Sequence, residues 1–197
     1  RMAFGNTRSL KTVTLPAALK TIGDMAFYYD SGLTEVTFQS QLETIGYQAF
    51  VGCASLVRAD LPASLTSIGL SAFSGCKKLE AVTFGEGSRL TSVEYQAFMN
   101  CSSLKELIFP DGLSELGYQI FSGCSSLETV DLSGTTIPSL TAYVSSSGKC
   151  TGFFEGCAKL KTVLLPETLE TIDYNAFKGC SALESISIPA TVSALRD

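Results

Sequence analysis

The chain has 197 residues, of which 45% are hydrophobic and 17% charged, and a formal net charge of −5. That apolar share suffices for a continuous core, while the mild acidity without a basic patch speaks against nucleic acid, whose phosphates call for a cationic surface. No run of about eighteen apolar residues offers a membrane span, and the absence of histidine removes the usual general base and the usual hydrolase triads.

Read from the first residue, the chain repeats itself. Phe4, Phe27, Phe50, Phe73, Phe98, Phe121, Phe154 and Phe177 mark successive copies, at steps of 23, 23, 23, 25, 23, 33 and 23 residues. Each is followed six places on by a leucine: Leu10, Leu33, Leu56, Leu79, Leu104, Leu127, Leu160 and Leu183. Three places later comes Val13, Val36, Ala59, Val82, Leu107, Val130, Val163 or Ile186, and two beyond that Leu15, Phe38, Leu61, Phe84, Phe109, Leu132, Leu165 or Ile188. These rows predict inward-facing positions of a solenoid in which each unit touches only its neighbours.

Within a unit, the alternation in stretches such as Val82-Thr-Phe84 predicts a short strand. Pro16, Pro62, Pro110, Pro166 and Pro189 follow it and turn the chain. A second extended segment comes next, with pairs such as Leu42 and Ile45 facing in. Stacked at roughly 4.8 Å per coil, eight coils span about 40 Å. The stretch around each marker phenylalanine is too short for a free helix and predicts a single helical or 3₁₀ turn, closed by a left-handed residue at Gly52, Gly75, Gly123, Gly156 and Gly179, or at Asn6 and Asn100. Tyr29 holds that place in the second unit, where a different bend is expected.

Two units are longer. The fourth carries two extra residues in Gly85-Glu-Gly-Ser-Arg-Leu90, and the sixth carries ten between Ser133 and Cys150, an insertion around 133–151 expected to bulge as a surface loop or binding element. The first unit opens in mid-pattern at Arg1-Met-Ala-Phe4, and Thr191-Val-Ser-Ala-Leu195 breaks off before a complete Leu-x-x-Ile-Gly. Residues 1–197 are therefore expected to form a single solenoid domain taken from a longer protein, with any signal or anchor outside it.

The unit Ala49-Phe50-Val-Gly-Cys53-Ala-Ser-Leu56-Val-Arg-Ala59-Asp-Leu61-Pro62-Ala-Ser-Leu65-Thr-Ser-Ile68-Gly69 resembles the BspA-like type of leucine-rich repeat, and the resemblance covers essentially the whole chain. It implies a leucine-rich-repeat solenoid, mostly β, with one principal parallel sheet and a second row of short strands. It also implies a bacterial, exported, cell-surface setting and adhesion to host or neighbouring-cell proteins, among them matrix components. Fold alone does not fix function.

Candidate chemistry is sparse. Cys53, Cys76, Cys101, Cys124, Cys157 and Cys180 recur three places after the phenylalanines, with repeat spacing and no Cys-x-x-Cys pair, which argues against metal. In-register stacking near 4.8 Å holds parallel side chains too far apart for a disulfide, whose β-carbons must converge to about 3.5–4.5 Å, so these six predict buried reduced thiols packed with Phe50, Phe73, Phe98, Phe121, Phe154 and Phe177. Cys150 lies in the insertion, either exposed and reactive or bridged to Cys157 or Cys124. The outward acids Asp60, Glu80, Glu106, Asp131 and Glu184 flank no evident cleft, so no catalytic residue and no cofactor are expected. Two outward rows remain as candidates for binding a protein ligand: Ile108 and Leu164 on the first strand, and Tyr47, Tyr95, Tyr118 and Tyr174 three places before the phenylalanines. The competing readings are a stalk that presents another domain and a carbohydrate-active or peptidase-associated module.

Overall fold

Alternate β-branched and leucine residues put one face of each first segment inward, and short strands result. They are β1 (Thr12–Thr14), β3 (Glu35–Thr37), β5 (Arg58–Leu61), β7 (Ala81–Phe84), β9 (Glu106–Ile108), β11 (Thr129–Asp131) and β15 (Thr162–Leu164). They run parallel and in register: Thr129, Val130 and Asp131 lie beside Glu106, Leu107 and Ile108 on one side and beside Thr162, Val163 and Leu164 on the other. This front row forms a β1-β3 pair and a five-stranded sheet of order β15-β11-β9-β7-β5. The computed structural model describes residues 2–196, which form a parallel β-solenoid of about eight coils of ~23 residues.

The second segments give two-residue strands: β2 (Thr21–Ile22), β4 (Thr44–Ile45), β6 (Ser67–Ile68), β8 (Ser92–Val93), β10 (Glu115–Leu116), β12 (Ser139–Leu140), β16 (Thr171–Ile172) and β17 (Ala194–Leu195). Glycine after the isoleucine lets backbones approach, since a β-carbon on Gly69 would lie 2.8 Å from the carbonyl carbon of Gly46. In the last coil Val192 and Leu195 occupy the Leu-x-x-Ile places, and Leu195 pairs beside Ile172, so this strand forms although its sequence departs from the pattern.

The back row is broken once. Strands β2, β4, β6, β8 and β10 make one sheet and β12, β16 and β17 another, with no pairing between β10 and β12. Elsewhere the residue after the inward leucine donates its amide to the preceding coil, as Glu43 does to the Lys20 carbonyl at 2.7 Å and Glu170 to the Pro138 carbonyl at 2.8 Å. In the sixth coil that residue is Pro138, which has no N–H.

The phenylalanine turns build a third ladder. The amides of Met25, Phe27 and Tyr29 donate to the carbonyls of Tyr47, Ala49 and Val51 in the next coil, each at 2.8 Å, while those of Ala26, Tyr28 and Asp30 fold back onto Gly23, Met25 and Phe27. Because every second amide is taken by the neighbouring coil, successive i→i+3 bonds cannot accumulate, and the expected helical or 3₁₀ turn is instead a chain of turns with no helix among the described residues. Tyr29 does not bend differently: its φ is 55°, beside 70° at Gly52 and 59° at Asn100. Its amide bond to Val51 holds it in the conformation of the other coils. A second left-handed position, four residues earlier, was not foreseen, with φ between 51° and 59° at Met25, Gln48, Ser71, Gln96, Gln119 and Asn175.

Inside, the marker rings stack nearly parallel, with centroids 5.0 Å apart and planes 6° apart for Phe27 and Phe50, and 5.5 Å and 2° for Phe121 and Phe154. All seven cysteines are free. Each buried thiol donates to the carbonyl of the preceding coil's marker phenylalanine, from Cys53 to Phe27 at 3.1 Å through to Cys180 and Phe154 at 3.3 Å. Burial pushes Cys53 up to about 12 and Cys180 to about 11, and raises Cys76, Cys101 and Cys124 well above the ordinary value, so these sulfurs stay protonated. In the second coil Asp30 takes the thiol's place. It is fully buried, its Oδ1 accepts the Thr7 amide at 2.6 Å, and its Oδ2 has no partner.

Two inward rows are open in the first and last of the described coils. Phe4 is 49% exposed and Ile188 44%, against 0% for Phe50.

Candidate interaction surface

The front sheet presents Thr37, Asp60, Thr83, Ile108, Asp131 and Leu164 as its outward row. Ile108 and Leu164 are the apolar members, 55% and 46% exposed, and Asp131 stands between them. Beside Ile108, where the two extra residues of the fourth coil widen the turn, lies an open depression of about 610 Å³ bordered by Ala81–Phe84, Gly85, Ser88 and Phe109. The next row holds ion pairs between coils, Glu80 with Lys105 at 4.0 Å and Glu128 with Lys161 at 2.8 Å. Lys161 holds the Glu128 carboxyl below the usual carboxylate range. All four side chains are exposed, so water and salt screen these pairs and they add little stability.

The tyrosine row is less even. Tyr95 and Tyr118 stack with centroids 4.2 Å apart and planes 10° apart, and Tyr143 extends the stack at 5.0 Å from Tyr118. Tyr47 is exposed but separated from this group by Leu70, and Tyr174 lies beyond the insertion, outside the stack. Burial between its two neighbours raises the Tyr118 phenol, with Tyr95 and then Tyr143 adding to the effect. Beneath the rings a second column of polar side chains ties the coils together: Ser71 donates to Gln96 Oε1 at 3.2 Å and Gln96 to Gln119 Oε1 at 2.7 Å.

Tyr143 comes from the insertion, and the sequence reading passed over it. Its signal was there, since it stands 25 residues after Tyr118, close to the repeat step. The ten extra residues divide in two. Leu132 to Ile137 takes five steps where Leu61 to Leu65 takes four, and Leu140 to Phe154 takes fourteen where Ile68 to Phe73 takes five. The second group forms an antiparallel hairpin, β13 (Tyr143–Val144) with β14 (Cys150–Thr151), whose tip is closed by the Gly148 amide on the Ser145 carbonyl at 2.9 Å. Cys150 is half-buried on that hairpin and bridges neither Cys157 nor Cys124. Val144 beside it is 52% exposed.

The hairpin springs from the place where the back sheet is broken. Next to the tyrosine stack, between β10 and β12, an open depression of about 530 Å³ is lined by Ser92–Tyr95, Ser114–Gly117 and Ile137–Ser139. Stacked tyrosines, the hairpin and the gap thus share one side of coils four to six. Among the described residues no group of three or more His, Cys, Asp or Glu is placed to hold a metal ion, and no helix is long and apolar enough to cross a membrane.

Parallel coils of ~23 residues with a stacked phenylalanine, a leucine and a cysteine at fixed places define a leucine-rich-repeat solenoid. The sequence matches the BspA type leucine rich repeat region in six copies, over residues 1–128 and 86–197, and the chain belongs to that family. Among solved structures it is similar to the leucine rich repeat protein of T. pallidum, with 27% identity, a TM-score of 0.78, and coverage of 94% of this chain and 88% of that one. It is also similar to the pneumococcal vaccine antigen PcpA, at 27% identity and a TM-score of 0.63, over 92% of this chain and 51% of the antigen. A leucine rich cell surface protein of Faecalibacterium prausnitzii shares the fold at 24% identity and a TM-score of 0.63, over 98% of this chain and 64% of that one. No curated protein matches the sequence.

Proposed function

We propose that the chain is a noncatalytic protein-interaction module of an exported bacterial surface protein, which binds a host or neighbouring-cell protein through the side carrying Tyr95, Tyr118 and Tyr143. The observation that carries this reading is the coincidence, in coils four to six, of a partly exposed tyrosine stack, a protruding hairpin and an opening in an otherwise continuous back sheet. Tyrosine offers wide contact area at low entropic cost, and irregular elements on a rigid scaffold are where recognition concentrates. Ile108 and Leu164 make the weaker surface, because Asp131 divides them. A surface setting is supported by family membership and by likeness to a protein named as a vaccine antigen.

Surface plasmon resonance against purified extracellular-matrix and host-surface proteins tests the reading. At least one should bind saturably, and Tyr95→Ser/Tyr118→Ser should lose that binding with circular dichroism unchanged, while Ile108→Ser/Leu164→Ser keeps it. Absence of saturable binding across the panel, or binding untouched by the tyrosine changes, would overturn it in favour of a stalk that presents another domain.

A further inference from the structure

We propose that the opening between β10 and β12 is a socket for an arginine side chain of the protein partner, an assignment that rests on the interaction reading above. Sheet acceptors without donors are the starting point. In the other coils the equivalent carbonyls are taken by the next coil: Lys20, Glu43, Thr66, Thr91 and Pro138 at one place, and Ile22, Ile45, Ile68, Val93, Leu140 and Ile172 at the other. Among the described residues, the corresponding carbonyls of Ser114 and Leu116 receive no amide from β12, because Pro138 has none to give and Ser139 and Thr141 do not reach across.

The gap cannot admit a whole strand, because the two coils touch on either side of it. The Thr136 amide reaches the Leu113 carbonyl at 2.8 Å, and Tyr118 stacks on Tyr143 at 5.0 Å. What remains is an open depression of about 530 Å³, which has room for a side chain but not for a further strand. Leu116 and Pro138 give it an apolar wall, which suits a methylene stem, while Val93 and Ile137 behind them belong to the core. Its charged lining residues are Glu94 and Glu115, both acidic, with no lysine or arginine among the lining; Glu94 already accepts the Leu70 amide of the preceding coil at 3.0 Å, which leaves Glu115, on β10 itself, as the carboxylate of the socket. A guanidinium spreads five donors in a planar fork, and so matches one carboxylate together with two free carbonyls better than a compact ammonium does. Tyr95, 43% exposed at the mouth, adds a ring against which the cation can lie.

The probe is a blocked pentapeptide, acetyl-Gly-Ser-Arg-Ser-Gly-amide, compared with the same peptide carrying uncharged citrulline, titrated into the ¹⁵N-labelled chain. The arginine peptide should shift the amides of Tyr95, Leu116 and Ser139 saturably and weaken with added salt, and citrulline should bind about tenfold more weakly. Glu115→Gln, at an exposed position, should remove most of the difference between the peptides while leaving circular dichroism unchanged. Equal binding of the two peptides, or no shift with arginine, would overturn the socket. If the arginine peptide is silent while Tyr95→Ser/Tyr118→Ser still loses a matrix protein, the interaction reading stands without the socket. If no protein binds at all, that reading falls whatever the peptide does.

Discussion

Asp30 is the one buried carboxyl in a column of thiols. Burial raises its pKa, against the opposing pull of the Thr7 amide and hydroxyl, and Cys53 is the titratable neighbour in the adjoining coil. A carboxyl raised on folding holds its proton more tightly in the native state. Its stabilising share is therefore complete below the unfolded value of about 3.9 and is lost as pH rises through the native value. Asp30→Cys restores the residue of the other coils and removes a partnerless buried oxygen, so it should stabilise the chain by about 1–3 kcal/mol at pH 7 and by less at pH 4. Urea unfolding of both proteins at the two pH values checks this. A gap that is equal at both, or that widens on acidification, contradicts it. Sequence alone marks Asp30 as a departure from the repeat, but not as buried, because only the stacking of Thr7 above it closes the site.

At the scale of the coil, the strands were legible because a period of two and a fixed 23-residue step leave one consistent inward face. The left-handed residue after the phenylalanine was legible where glycine or asparagine stands there. The earlier left-handed position was not, because Met25, Gln48, Gln96 and Gln119 are not turn formers, Ser71 and Asn175 alone give too little signal, and the interlocking amide ladder imposes their conformation. The same ladder makes the interior unforgiving. Phe98, wholly buried between Phe73 and Phe121, should cost about 3–5 kcal/mol on replacement by alanine. Phe4, half-exposed at the end of the column, should cost about 1 kcal/mol or less. Denaturant melts of the two variants decide this, and similar costs would mean that the column is not continuous.

Across the molecule, six of the seven steps between back-row strands are paired alike and one is not. Length placed the irregularity correctly in the sixth unit, but serine-rich composition says only that a loop is there. The hairpin, its tyrosine in the stack and the split sheet arise from contacts between coils, which no single unit encodes. Pro138 was the readable clue, since a proline inside Leu-x-x-Ile removes a ladder donor. The functional reading and the arginine socket both depend on that split being open. Amide hydrogen exchange tests it most directly. Ser139 and Thr141, which lack a partner in the preceding coil, should exchange about a hundredfold or more faster than their counterparts Thr171 and Asp173, which donate to Pro138 and Leu140 at 3.2 and 3.0 Å. Equal protection at the two pairs would show a closed, continuous sheet and contradict the account.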